Sequence, residues 1–153
     1  IAALGHRLEA ELPPVGGGGL ASGLALALEA AAPGARLYGA EPEGFDDLRR
    51  SLAEGRIAGN ERKTGSIQDA LLSPSVCERT FRILKPRMAA AFAVADVEAE
   101  AAMAWAARHL KLVAEPGGAA ALAAVLADRV PAGEGAIVIV LSGGNAEPVT
   151  AAA

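Results

Sequence analysis

Four consecutive glycines, Gly16 to Gly19, run directly into Leu20-Ala21-Ser22-Gly23 and an Ala/Leu stretch that Pro33-Gly34 stops. Without a Cβ, successive peptide N–H groups can turn toward one anion and approach it closely, and a helix starting there adds the positive end of its dipole. In isolation such a run also describes a flexible linker. The apolar helix immediately after it favours a fixed anion-binding loop instead. A dinucleotide fingerprint fits less well. GxGxxG follows a strand and is answered by an acid about 20 residues on; Glu41 lies at about that remove from Gly19, but the glycine spacing is wrong.

The rest of the chain alternates helix and strand signals. Leu20 to Ala32 is apolar on nearly every side and is expected to be a buried helix. Arg36 to Ala40 reads as a short strand ending at Glu41-Pro42, and Phe45 to Ala53 as a helix closed by Gly55. Residues 55–66 form a polar connection, and Ile67 to Leu72 and Cys77 to Leu84 a helical pair broken near Pro74. Met88 to Val94 reads as a strand, with Asp96 placed to cap a helix from Val97 to about His109 whose buried faces carry Ala101, Met103, Trp105 and Leu110. Lys111 to Glu115 is extended, Pro116-Gly117-Gly118 opens a helix to about Val130, and Ala136 to Leu141 is a strand that runs into Ser142-Gly143-Gly144-Asn145. This order, with a last strand apolar at every position, implies an α/β fold: three αβα layers around a mostly parallel sheet, in a single domain covering residues 1–153.

The beginning reads differently. Ile1, Leu4, Leu8 and Leu12 fall on one helical face, so Ile1 to Leu12 is expected to be the body of a helix that began earlier, in a larger protein. Glu9 to Val15, with Pro13-Pro14, leaves little room for a strand before the glycines.

Of the 153 residues 52% are hydrophobic and 21% charged, so a packed core is expected and disorder is not. A net charge of −4 without a basic stripe argues against a nucleic-acid partner or an anionic membrane surface. No apolar run reaches membrane-spanning length, and a soluble cytoplasmic protein is expected. Cys77, the only cysteine, excludes an internal disulfide and a CxxC metal site, and is expected to be half buried.

Two glycine motifs at strand ends predict the site: ligands of parallel sheets bind at the carboxyl ends of strands, where Gly16–Gly19 and Ser142–Asn145 fall. Four segments then carry a resemblance over nearly the whole chain. They are Pro14-Val15-Gly16-Gly17-Gly18-Gly19-Leu20 with Ser22-Gly23; Gly39-Ala40-Glu41-Pro42; Lys111-Leu112-Val113-Ala114-Glu115-Pro116-Gly117-Gly118-Ala119-Ala120-Ala121-Leu122; and Val140-Leu141-Ser142-Gly143-Gly144-Asn145. In these the chain resembles the C-terminal portion of the serine/threonine dehydratase family of pyridoxal-phosphate enzymes, with its tryptophan-synthase-β-like fold, which includes serine racemase and threonine ammonia-lyase.

The resemblance implies pyridoxal 5'-phosphate as cofactor, its phosphate held by the backbone N–H groups of Gly16, Gly17, Gly18, Gly19 and Leu20, its pyridine nitrogen hydrogen-bonded by Ser142, and Glu115 close to the ring. It implies a divalent cation, Mg²⁺ or another, on Glu41, the Phe45 carbonyl and Asp47; acids favoured by a helix dipole are the alternative there. Gln68, Asp69 and Ala70 match a segment near the substrate, with Ala70 in place of a common glycine. The expected reaction is β-elimination from an amino-acid substrate, serine or threonine, to a 2-oxo acid and ammonia, with racemisation as a relative. The family's Schiff-base lysine belongs to a Ser-Phe-Lys-like segment absent from this chain, and Lys63, Lys85 and Lys111 do not replace it. The alternatives are therefore a non-catalytic cofactor-binding remnant, or a half-enzyme completed by the missing N-terminal half as a separate chain; a homodimer is also implied.

Overall fold

The computed structural model describes residues 8–131 and 133–146. Leu8-Glu9-Ala10-Glu11-Leu12 is a strand, β1, with its apolar residues buried and its glutamates half buried. This corrects the helix expected for Ile1 to Leu12, of which residues 1–7 lie outside the described residues. Leu8 and Leu12 are four apart, a spacing common to one helical face and to two strand repeats, and the alternating glutamates between them decide for the strand.

The elements that follow are helix α1 (Gly19–Ala31), strand β2 (Arg36–Pro42), helix α2 (Asp47–Glu54), a single 3₁₀ turn (Asp69–Leu71), helix α3 (Glu78–Leu84) and strand β3 (Met88–Val94). Helix α4 (Asp96–Trp105) runs into a π-helical turn (Ala106–Leu110), and helix α5 (Pro116–Leu126) precedes strand β4 (Ala136–Ile139). The four strands form one all-parallel sheet in the order β3-β2-β1-β4. Side chains alternate across it. Ala10, Leu12, Tyr38, Ala40 and Val94 face α4 and α5, whereas Leu37, Met88 and Ala91 share the other core with Ala21, Ala25 and Leu28 of α1 and Phe81 and Leu84 of α3. The expected three-layer α/β architecture is present.

Pro13 and Pro14 do not interrupt the pairing. Ala40 N–H donates to the Pro13 carbonyl at 3.1 Å and Val15 N–H to the Ala40 carbonyl at 2.7 Å, so the prolines are asked only for the acceptor they possess. The strand before the glycine loop is thus complete.

Which Ala-rich helix is enclosed differs from expectation. On α1 only Ala21, Ser22, Ala25 and Leu28 are buried, and Leu20 and Leu26 remain 45% and 47% exposed because α1 is an outer-layer helix. Helix α5 is the enclosed one, with every residue from Gly117 to Ala124 buried between α4 and the sheet. On α4 the inward residues are Ala99, Ala102 and Met103, and Ala106 follows; Ala101 is exposed, and so is Leu110, which the wider π turn carries outward. Cys77 is exposed at the start of α3. Asp96 is the first residue of α4 rather than its cap. Its carboxylate accepts from the Ser66 hydroxyl and Ile67 N–H, and Glu98 accepts the Ala95 N–H at 2.8 Å. No helix among the described residues is long and apolar enough to cross a membrane.

Leu12 is fully buried at the centre of the sheet, so Leu12→Ala is expected to lower the unfolding free energy by about 2–5 kcal/mol in urea titrations. Val97→Ala, at a 71% exposed position, is expected to stay within about 0.5 kcal/mol. Glu98 joins the start of α4 to the segment after α5 through the two terminal guanidinium nitrogens of Arg129, at 2.9 and 2.6 Å, and Arg129 holds its carboxyl below the usual range. A depressed folded pKa adds stability that is present above the unfolded value of 4.5 and is lost as pH falls through the folded one. Glu98→Gln is therefore expected to lower the melting temperature at pH 7 and to flatten its fall below pH 4.5, read by circular dichroism.

Candidate functional site

Adjacent parallel strands deliver both glycine loops to one rim of the sheet. β1 and β4 are neighbours, Leu12 lies opposite Ile139, and Val140 N–H still donates to the Leu12 carbonyl at 3.0 Å beyond the end of β4. Gly16 follows the end of β1 and Ser142 the end of β4, so both leave at the carboxyl edge, where parallel sheets hold their ligands.

The first loop is pinned from α3. The Thr80 hydroxyl donates to the Gly17 carbonyl at 2.8 Å, and Cys77 N–H reaches the same oxygen at 3.3 Å. Gly18 sits at φ 85°, where an added Cβ would also lie 2.9 Å from Thr80 Oγ1. At Gly16 a Cβ would stand 3.2 Å from Leu71 Cα and from Ser73 Oγ, whereas at Gly19 it would meet nothing within 4 Å. Gly18 is therefore demanded by the fold itself, and Gly16 lies in a tight contact with Leu71 and Ser73.

The amino end of α1 carries no side-chain cap and no acid in its first turn, and residues 16–20 donate no turn or loop hydrogen bond among the described residues. Helix α2 differs. Glu41, on β2, accepts Leu48 N–H and Arg49 N–H, each at 2.8 Å. The first turn of α1 leaves its donors and dipole to an anion from outside, and the glycine cradle fits a phosphate group.

The second loop is clamped to the start of α5. Glu115 N–H donates to the Gly143 carbonyl at 3.0 Å, and the Glu115 carboxylate accepts Asn145 N–H at 3.1 Å. A Cβ on Gly118 would come within 2.6 Å of the Gly143 oxygen, and one on Gly144 within 2.8 Å of the Val113 oxygen, so this segment requires glycine on both sides. Ser142 is exposed, and its hydroxyl has no hydrogen bond among the described residues. The 3₁₀ turn joins the two loops: Leu71, packed against Gly16, would also lie 3.2 Å from a Cβ on Gly117. Ser73, Thr80 and Leu71, which shape the cradle, escape sequence reasoning because they lie more than fifty residues away along the chain and belong to no recognisable motif.

Of the expected cation ligands, Glu41 and Asp47 make hydrogen bonds within the chain. Glu41 is fully buried; burial raises its carboxyl to about 8 against the lowering effect of the two amides, with Asp47 and Asp46 adding to the rise. Asp47, raised by burial, accepts from Asn60 Nδ2 at 2.6 Å and from Val76 N–H. Phe45 is a core residue whose N–H donates to the Pro42 carbonyl. The Glu41 and Asp47 carboxylates thus hold main chain and loop in place, and among the described residues no group of three His, Cys, Asp or Glu is gathered for a metal ion.

The family model for pyridoxal-phosphate dependent enzymes matches residues 1–143. The chain belongs to this family. It is 33% identical over 140 residues to a beta-hydroxyaspartate dehydratase of Paracoccus denitrificans, covering 92% of this chain and 44% of the relative. It is 35% identical over 145 residues to a serine racemase of Dictyostelium discoideum, again covering 44% of the relative. Among solved structures it superposes on a T.th. threonine deaminase with a TM-score of 0.87 at 39% identity, covering 95% of this chain and 53% of that one. A maize serine racemase gives 0.85 at 34% identity, with 93% and 44% covered. The chain thus spans about half or less of the length of these family members. Its α/β sheet is that of the tryptophan-synthase-β-like pyridoxal-phosphate fold.

Because Gly18 alone of the four adopts a left-handed conformation, Gly18→Ala is expected to cost about 1–2 kcal/mol, whereas Gly19→Ala is expected to change stability by no more than about 0.5 kcal/mol. Urea denaturation of the two variants checks this.

Proposed function

We propose that this chain provides the phosphate cradle and the ring-nitrogen contact of a pyridoxal-phosphate-dependent lyase that converts serine or threonine to a 2-oxo acid and ammonia. The observation that supports it is the arrival of an uncapped glycine loop and an exposed Ser142 at the same rim of two adjacent parallel strands. When bound, the cofactor supplies an electron sink for the pair left behind as the substrate's α-proton departs. The N–H groups of Gly16 to Leu20 and the α1 dipole bind its phosphate. Ser142 offers a hydroxyl to the ring nitrogen; a hydroxyl does not readily protonate that nitrogen as a carboxylic acid would, which tempers the sink and favours elimination over long-lived carbanion chemistry. Glu115 keeps the Ser142 loop in place through Asn145 N–H.

The moving of the α-proton falls to an amine outside these 153 residues. Lys85 Nζ donates to the Gly55 carbonyl and Lys111 Nζ to the Arg108 carbonyl, each at 2.7 Å, and Lys63 lies in the exposed 55–66 connection. In this reading turnover requires the polypeptide that corresponds to the remainder of the relatives, and the chain alone binds cofactor without turning over substrate.

Titration of the chain with pyridoxal phosphate and with pyridoxal, followed by Trp105 fluorescence and calorimetry, tests the cradle. The phosphorylated form is expected to bind at least about tenfold more tightly, with inorganic phosphate competing. Equal affinity for the two forms would refute it. In a holoenzyme, Ser142→Ala is expected to reduce 2-oxo acid formation at least about tenfold while leaving phosphate competition unchanged.

A further inference from the structure

Gln68 has no solvent exposure, and the turn that touches both glycine loops hangs from it. Its Nε2 donates to the Val94 carbonyl at the end of β3, at 3.1 Å, and to Asp96 Oδ1 at 3.2 Å. Its main-chain N–H donates to Ser66 Oγ at 3.1 Å, and its carbonyl accepts Leu71 N–H at 2.9 Å. Ser66 in turn donates to Asp96, closing the network. The amide has only one workable orientation: both groups facing Nε2 are acceptors, so exchanging N and O would set oxygen against oxygen. Its Oε1 is buried without a hydrogen-bond partner among the described residues. An apolar side chain of the same volume would avoid that cost but take a donor from the Val94 carbonyl and from Asp96 Oδ1.

What the amide does achieve is placement. Leu71, at the end of the turn, packs against Gly16 on one side and Gly117 on the other, and the adjoining Gly118 packs against Gly143. We infer that Gln68 is a positioning residue: by tying the Asp69–Leu71 turn to the end of β3 it sets the spacing between the anion loop at Gly16–Leu20 and the Ser142 loop. The inference rests on the proposed cradle. A ligand gripped at both loops is sensitive to that spacing, since small displacements at a binding constellation cost much of its interaction.

Gln68→Met tests this, because it keeps the volume and removes the tether. In the ligand-free chain, amide exchange at Leu71 and Ser73 is expected to quicken at least about tenfold, with that of Leu52 in α2 unchanged. In titrations, pyridoxal phosphate is expected to bind the variant at least about tenfold more weakly, and inorganic phosphate, which touches one loop only, within about threefold of wild type. Met103→Ala, a cavity in the same core, is expected to lower stability without either change. Unchanged exchange at Leu71 and Ser73, equal loss of both ligands, or the same pattern in Met103→Ala would overturn the positioning role. Failure of the wild-type chain to bind either ligand would overturn the cradle as well, and is distinguished by the wild-type titration alone.

Discussion

Strand β1 is hydrogen-bonded along both edges, to β2 through Ala10 and Glu11 and to β4 through the run from Leu8 to Leu12. Parallel pairing on both sides means that whatever follows β1 and whatever follows β4 must emerge together, and the rest of the site is arranged around that fact. Remote segments then complete it: α3 reaches back to hold the Gly17 carbonyl, and the Asp69–Leu71 turn fills the gap between the loops. The central position of β1 also explains why a sequence with two prolines before the glycine loop still forms an uninterrupted sheet, since the carbonyl of Pro13 is used and a proline N–H is never needed.

Two helix amino ends are closed by acids from within the chain. Glu41 closes the amino end of α2 from across β2, and Glu98 reaches back to the main chain before α4. The amino end of α1 has no such partner. An acid there would repel a phosphate and occupy its donors, so the lack of one agrees with ligand binding. Glu41 and Asp47 serve the opposite purpose: they are turned inward, onto amides and onto Asn60, and stabilise the loop structure below the sheet rim.

Much of this was legible before any coordinates. The parallel α/β class follows from alternating helical and strand patterns with an all-apolar last strand, and the anion loop follows from four glycines without side chains at the start of an apolar helix. The illegible parts have definite physical causes. Leu8 and Leu12 satisfy two periodicities at once. Ala-rich stretches are equally compatible with an outer helix and an enclosed one, so α1 and α5 could not be ranked by composition; their burial depends on which of them α4 covers. Glu41 and Asp47 have the chemistry of cation ligands, and the main-chain donors that the fold brings to them lie on segments that a local pattern does not link to them.

By itself the sequence determined the local possibilities: glycine at 16–19 makes an anion loop feasible, the glycines around 117 and 143 permit close backbone approach, and a serine at 142 offers a hydroxyl. These properties depend on side-chain size and chemistry at single positions. Tertiary structure decided which of them meet. The convergence of the two loops, the filling of the space between them by Leu71 and the anchoring of that turn on Gln68 arise from pairings between residues dozens of positions apart, and no local pattern encodes a distance of that kind.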